Sequence, residues 1–232
     1  MEAGGHAVRV LDNFTVGTRQ DLAEVCDFTE IDPADSFFSE SSGPKSFCEL
    51  MAAHAASPYG AGKLAGEGYC SADFQSYGLS AVVLQFGNVY GPGSTHKNSV
   101  VAKFIKQAGG GGALEIYGDG SQTRDFIYID DLVKAIILSR YTENIGGEIF
   151  QIATNRETTI REMVETLLPI LKMAGINDVR VTHGERRVGD VRRNFSDTTK
   201  AERLLGWQCT YTLQQGLEET VRFFMDRCPN DA

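Results

Sequence analysis

Residues 57–68 read Ser57-Pro58-Tyr59-Gly60-Ala61-Gly62-Lys63-Leu64-Ala65-Gly66-Glu67-Gly68. Pro58 suits the first turn of a helix, where its fixed φ is already right and its missing N–H is not needed. Tyr59 and Lys63 then stand at i and i+4. On a helix those positions share one face, so the phenol and the ammonium point into the same cleft. A nearby ammonium favours the phenolate. It lowers the tyrosine pKa and makes Tyr59 a usable acid/base near neutral pH. The same pair on a solvated helix would be surface chemistry only, so its meaning depends on the rest of the chain.

The helix should run to Tyr77 and stop at Gly78. Its small residues (Ala61, Gly62, Ala65, Gly66, Gly68) permit close helix–helix approach, within one chain or between two copies. Leu79 to Phe86 reads as a buried, parallel-type strand. Gly87 to Gly93 then forms a glycine-punctuated loop at the strand's carboxyl end, where open α/β sheets bind ligands. Asn88 there either orients a polar ligand or serves as a turn residue.

Farther on, Val100–Gln107 is helical, Leu114–Tyr117 is a strand and Gly118–Ser121 is a turn. Arg124–Ile129 alternates as a strand, and Asp130 is placed to cap a helix over 131–140. Glu148–Ala153 is another buried strand. Thr159 and Glu162 form a capping box for a helix through Lys172 that contains Pro169. Val179–Thr182 is a strand. His183–Arg193 is a basic loop in an acidic protein. Its arginines, with Arg124, either grip a diphosphate through charge-assisted forks or pair with Glu185 and Asp190. Helices over 198–205 and 212–227 follow, the second opened by Thr212 and Gln215.

Upstream, Val8–Phe14 is a short strand ending in Asp12-Asn13. An acid at the end of a second Rossmann strand binds the adenine ribose and repels a 2′-phosphate, which selects NAD over NADP. The alternative for Asp12 is a plain Asx-turn. The glycine fingerprint expected about 20 residues earlier has no room, since Asp12 is the twelfth residue. Nor is there room for further βα units between Asp12 and Tyr59. Either the first βα unit is missing or the dinucleotide reading fails.

The chain has 232 residues, 42% of them hydrophobic, and a net charge of −9. That charge gives no support to nucleic-acid binding. No apolar run reaches membrane-spanning length, and no signal-peptide pattern opens the chain. Five cysteines without a Cys-x-x-Cys fit free thiols in a reducing cytoplasm. The scattered histidines suggest no metal site.

Four blocks occur in order: residues 57–68, Gly87–Pro92, Ile116–Asp131, and Gly189–Arg193 followed by Lys200 and Leu205-Gly206-Trp207. Together they resemble the extended short-chain dehydrogenase/reductases of the NAD-dependent epimerase/dehydratase family, most of all the UDP-glucose 4-epimerase-like enzymes. The match covers nearly all of 57–226, and Gly5–Gly17 resembles the second strand. The resemblance implies an α/β fold: a Rossmann-like parallel sheet, here lacking the first βα unit and central strands, with a smaller α/β substrate domain. The expected NAD-binding part is 1–90 plus about 130–153. The nucleotide-sugar part is 91–129 and 154–232.

The resemblance also implies roles. Tyr59 takes the proton from the sugar 4-hydroxyl, and Lys63 lowers its pKa and holds the nicotinamide ribose. Asp12 and Asn13 contact the adenosine, and the Gly87 backbone lies by the nicotinamide. Asn88, Arg124, Arg187 and Asp190 bind the nucleotide sugar. The hydride passes from sugar C4 to NAD and returns to the other face of a 4-keto intermediate. The hydroxyl residue usual on the preceding strand has only weak stand-ins, Ser39 among them, and Gln85 replaces the usual arginine. The expected function is NAD-dependent C4 epimerisation of a UDP-sugar. The alternatives are a 4,6-dehydratase or decarboxylase, or an impaired fragment that only binds nucleotide sugar. A homodimer through the Tyr59–Tyr77 helix fits its small-residue face.

Overall fold

Helix α1 spans Pro58–Tyr77 and ends as its sequence predicts. Gly78 takes φ +67° and donates its N–H to Phe74 O at 3.0 Å. The computed structural model that shows this describes residues 58–95, 99–186 and 191–227. The far end of α1 is held by one ring. A Cβ on Gly146 or Gly147 would lie 2.5 Å from Phe74, so this glycine pair is required by close packing.

The strands come in short parallel pairs. β1 (Val83–Phe86) pairs in parallel with β6 (Ile149–Ile152), and β2 (Asn88–Tyr90) with β5 (Phe126–Tyr128). β3 (Leu114–Tyr117) pairs in parallel with β8 (Val181–Gly184). The exception is β4 (Thr123–Arg124), antiparallel to β7 (Thr158–Thr159). Parallel pairs need crossovers, and helices supply them. They are α2 (Val100–Gly109), α3 (Ile129–Tyr141), α4 (Ile160–Met173), α5 (Thr199–Leu205) and α6 (Leu213–Arg227). This is the expected α/β class.

Two buried clusters organise the packing. The first joins α2, α4 and α6 over β3 and β5. On α4 it takes Ile160, Met163, Val164, Leu167 and Leu171, the i, i+3, i+4, i+7 stripe of an amphipathic helix. The Thr159–Glu162 capping box forms as read, and α4 continues through the exposed Pro169. The second cluster joins β1 and β6 to α3, α5 and the fully buried Trp207. Gly206 turns the chain with φ +62°, and Trp207 Nε1 donates to Asp131 O at 2.8 Å.

Several local expectations are corrected. Residues 88–90 form a strand rather than a loop, because β5 lies alongside and pairs with them. The strand expected over 79–86 begins only at Val83. The run 124–129 is split by Asp125 into β4 and β5, and Ile129 already belongs to α3. Asp130 is therefore in the first turn and exposed, and the cap residue is Tyr128. The strand read at 179–182 lies two residues later, where it meets β3.

Candidate functional site

The site begins where the chain changes partner. Phe86 is the last residue of β1, paired to β6, and Asn88 is the first of β2, paired to β5. Gly87 makes the switch. Its N–H donates to Ile152 O at 3.0 Å, and the next amide, Asn88 N–H, donates to Asp125 O at 2.6 Å. A Cβ on Gly87 would lie 2.8 Å from Asp125 O and 3.3 Å from Ala153 Cβ. Its glycine identity is thus fixed by packing inside the chain. Gly87→Ala should displace this crossing and cost about 1–3 kcal/mol, as overpacking does. Urea unfolding of the variant measures that loss.

Beside this switch lies a cavity of about 220 Å³. Asn88 lines it from β2, Arg124 from β4, and Lys103 from α2. Sequence reading chose Asn88 and Arg124, and the structure brings them to one cavity. It did not choose Lys103. The available signal was the i, i+3, i+4 spacing of Val100, Lys103 and Phe104, all of which line the cavity. Lys103 Nζ sits 3.2 Å from the Tyr117 hydroxyl, 4.6 Å above its ring centre and 3.7 Å from Glu115. Gln122, also unforeseen, lines the wall and donates to Tyr117 O at 2.8 Å. Two cations, one of them paired with the Glu115 carboxylate that also lines the wall, and two amides on one small cavity, in a chain of net charge −9, suit a polar anion.

Arg124 Nη1 donates to Thr123 O at 2.7 Å and to Val191 O at 2.6 Å. Arg193, from the basic stretch, instead forks onto Glu157, with Nε and Nη2 each 2.7 Å from a carboxylate oxygen. Glu157 is thus the carboxylate partner of Arg193, while Asp190 lies outside the described residues. Those bonds from Arg193, then one from Thr123, pull the Glu157 carboxyl down to about 2. A depressed carboxyl contributes its stability above its unfolded value. This contribution is lost as pH falls below about 4.5 toward 2.

Two described tyrosines here, Tyr90 and Tyr128, are poor acid/base candidates. Burial, more than the nearby Cys209, pushes the Tyr90 phenol far up, and its hydroxyl donates to Leu213 O at 3.3 Å. Tyr128 is raised to about 12, by burial first and then by Asp130. A phenol so raised stays protonated at neutral pH. On α1, Lys63 is half-buried and its helix is unbroken from Tyr59. The side chain of Tyr59 lies outside the described residues, as do Asp12, Asn13, Ser39, Arg187 and Asp190. Gln85, in the position of the usual arginine, accepts from Gln151 on β6 and donates to Glu67 on α1. It thus ties the helix of the Tyr-Lys pair to the sheet.

Among the described residues no group of three or more His, Cys, Asp or Glu could hold a metal, and no helix is long and apolar enough to cross a membrane. The family model for the NAD dependent epimerase/dehydratase family matches residues 34–153. A UDP-glucose 4-epimerase of Mycolicibacterium smegmatis is 37% identical over 181 residues, 77% of this chain and 56% of that protein. A dTDP-glucose 4,6-dehydratase of Neisseria gonorrhoeae is 31% identical over 78% of this chain and 54% of its own length. The crystal structure of UDP-glucose 4-epimerase with UDP-glucose from Thermotoga maritima superposes with a TM-score of 0.67. It is 36% identical, covering 73% of this chain and 53% of that one. The UDP-glucuronic acid 4-epimerase of Bacillus cereus, in complex with UDP-glucuronic acid and NAD, gives 0.68 at 30% identity, covering 83% and 59%. The chain spans about half the length of the curated relatives it matches. With the cavity, the Tyr-Lys helix and these matches together, the chain belongs to the NAD dependent epimerase/dehydratase family.

Proposed function

We propose that the chain acts on a nucleotide diphosphate sugar, and that its reaction is NAD-dependent epimerisation at sugar C4. The observation that carries the binding half is the cavity shared by Asn88, Arg124 and Lys103. Arg124 offers a planar fork matched to phosphate oxygens, and Lys103 adds a point charge. Asn88 can donate and accept through its amide. UDP-sugar is the favoured ligand because the epimerase relatives at 36–37% identity carry that nucleotide in their names.

For the chemistry, Tyr59 is the proton acceptor at the sugar 4-hydroxyl. Lys63 stabilises its phenolate from one turn away. NAD, when bound, supplies the hydride acceptor for C4 and returns the hydride. The described residues fit it at the nicotinamide end: Lys63 is half-buried and follows Tyr59 by one turn of a regular helix. Asp12 and Asn13 are the proposed contacts to its adenosine, Gly87 contributes backbone near the nicotinamide, and Arg187 and Asp190 assist Arg124 at the substrate. Ser39 is the proposed hydroxyl partner. The two buried clusters support a division near the proposed boundaries, with α5 and Trp207 packing on the first part. A homodimer through α1 is part of the proposal, supported by exposed Leu64, Tyr69 and Tyr77. A reducing, cytoplasmic setting is part of the proposal, supported by five cysteines without a Cys-x-x-Cys.

A second reading is a chain that binds nucleotide sugar without turning it over, because the cavity shared by Asn88, Arg124 and Lys103 speaks for binding alone. The dehydratase relatives keep 4,6-dehydration of a dTDP-sugar as a third. One experiment separates them. The protein is titrated with UDP-glucose and dTDP-glucose by calorimetry, with NAD by nicotinamide fluorescence, and products are followed by NMR. Epimerised product, with a loss of about 10²–10⁴ in rate for Tyr59→Phe, supports the first reading. Sugar-nucleotide binding without product supports the second, and a 4-keto-6-deoxy product the third. Binding of no nucleotide sugar would contradict all of them.

A further inference from the structure

The second fixed point of Arg124 lies on a separate segment, and that segment is itself clamped. Residues 191–194 run beside β4. Thr123 N–H donates to Arg192 O at 2.9 Å, and Arg124 Nη1 donates to Val191 O at 2.6 Å. Two residues beyond Val191, Arg193 forks onto Glu157 with both bonds at 2.7 Å. Glu157 Oε1 also accepts from Thr123 Oγ1 at 2.7 Å, the residue just before Arg124. One carboxylate therefore ties both residues 191–194 and β4 to the turn ahead of β7.

A guanidinium is rigid and planar. Nη1 carries two hydrogens, and Arg124 aims this nitrogen at the carbonyls of Thr123 and Val191. Fixing that nitrogen at both fixes the plane of the fork. An exposed ion pair usually contributes little, and the Arg193 side chain is 67% exposed. The Glu157 pair differs in being bidentate and in sharing its carboxylate with Thr123.

We propose that Glu157 is a positioning residue for ligand binding: by clamping Arg193 it holds the Val191 carbonyl that orients the Arg124 guanidinium in the cavity. This rests on the reading of the cavity as a nucleotide diphosphate site. Glu157 itself is not among the residues that line it.

The test is calorimetric titration of UDP into the wild type, Glu157→Gln, Arg193→Lys and the double variant, with thermal melts in parallel. Gln keeps the acceptor for Thr123 but loses the fork, and Lys keeps the charge but loses the second bond. Each single variant should weaken UDP binding about five- to tenfold, the scale of one lost charge-assisted hydrogen bond. The double variant should lose no more than either single, because both break one clamp. In an Arg124→Lys background the Glu157→Gln effect should vanish, which a merely structural role would not produce. Unchanged UDP affinity in both single variants, with the wild type binding, overturns the clamp. So does an undiminished Glu157→Gln loss in the Arg124→Lys background. If the wild type itself takes up no UDP, the nucleotide-sugar reading fails first and the clamp falls with it.

Discussion

Asp131→Ala is expected to destabilise the protein by about 2–4 kcal/mol, because this buried carboxylate is the shared acceptor of several neutral donors that would lose their partner. Asp131 is 1% exposed. Its carboxylate accepts from Thr210 N–H at 3.0 and 3.1 Å, from Thr210 Oγ1 at 2.6 Å and from Tyr211 N–H at 3.0 Å. The Cys209 thiol adds a fourth donor group at 3.2 Å. Burial first, and Asp131 second, push that thiol up to about 12, so it remains a donor at every physiological pH. Alanine leaves these donors without their acceptor, at about 1–3 kcal/mol for each one that water does not reach; Thr210 is exposed, while Cys209 and Tyr211 are half-buried. The link at stake joins the start of α3 to the segment between α5 and α6. Asp131→Asn keeps one acceptor oxygen and should lose less. Urea unfolding with a constant slope checks both; a loss below about 1 kcal/mol for alanine would mean that water replaces the carboxylate.

Arg124→Ala is expected to weaken UDP binding by about 2–4 kcal/mol, roughly 30- to 1,000-fold in Kd. The reason is chemical. A phosphate taken from water into the cavity needs charged donors, and the fork of Arg124 is the best-shaped of those that line it. Lys103 remains in the variant, so some affinity should persist, and it should fall steeply with added salt. Stability should change far less than affinity, since Arg124 is only half-buried. Calorimetry at two salt concentrations reads both effects. An Arg124→Ala protein that binds UDP as well as the wild type would remove the arginine from the site.

Much of this was legible where local physics acts alone. α1 ends at Tyr77 because Gly78 supplies a left-handed residue, and α4 opens at Thr159 because Glu162 completes the cap. β3 falls at Leu114–Tyr117 as its apolar alternation predicts. The misses share a cause, which is tertiary pairing. Nothing in Asn88-Val89-Tyr90 announces a strand. It becomes one because β5 lies beside it, and because Gly87 lets the chain pass against Asp125 O. Asp130 looks like a cap, but β5 runs straight into α3 and the helix starts two residues earlier than expected, at Ile129.

The site was half legible for the same reason. Asn88 and Arg124 stood in recognisable blocks, and they meet in the cavity. Lys103 stood in an ordinary amphipathic helix, and only the position of α2 over β3 gives it a role. Arg193 looked like a phosphate ligand by charge, but Glu157, 36 positions away, holds it.

The proposed function requires the cavity between β2, β4 and α2 to hold a nucleotide diphosphate. A crystal structure of the protein grown with UDP tests it directly. The expected result is a pyrophosphate with oxygens about 2.7–2.9 Å from the Arg124 guanidinium, the length of a charge-assisted hydrogen bond, and with Asn88 in reach. UDP bound elsewhere on the molecule, with this cavity filled by solvent, would contradict it.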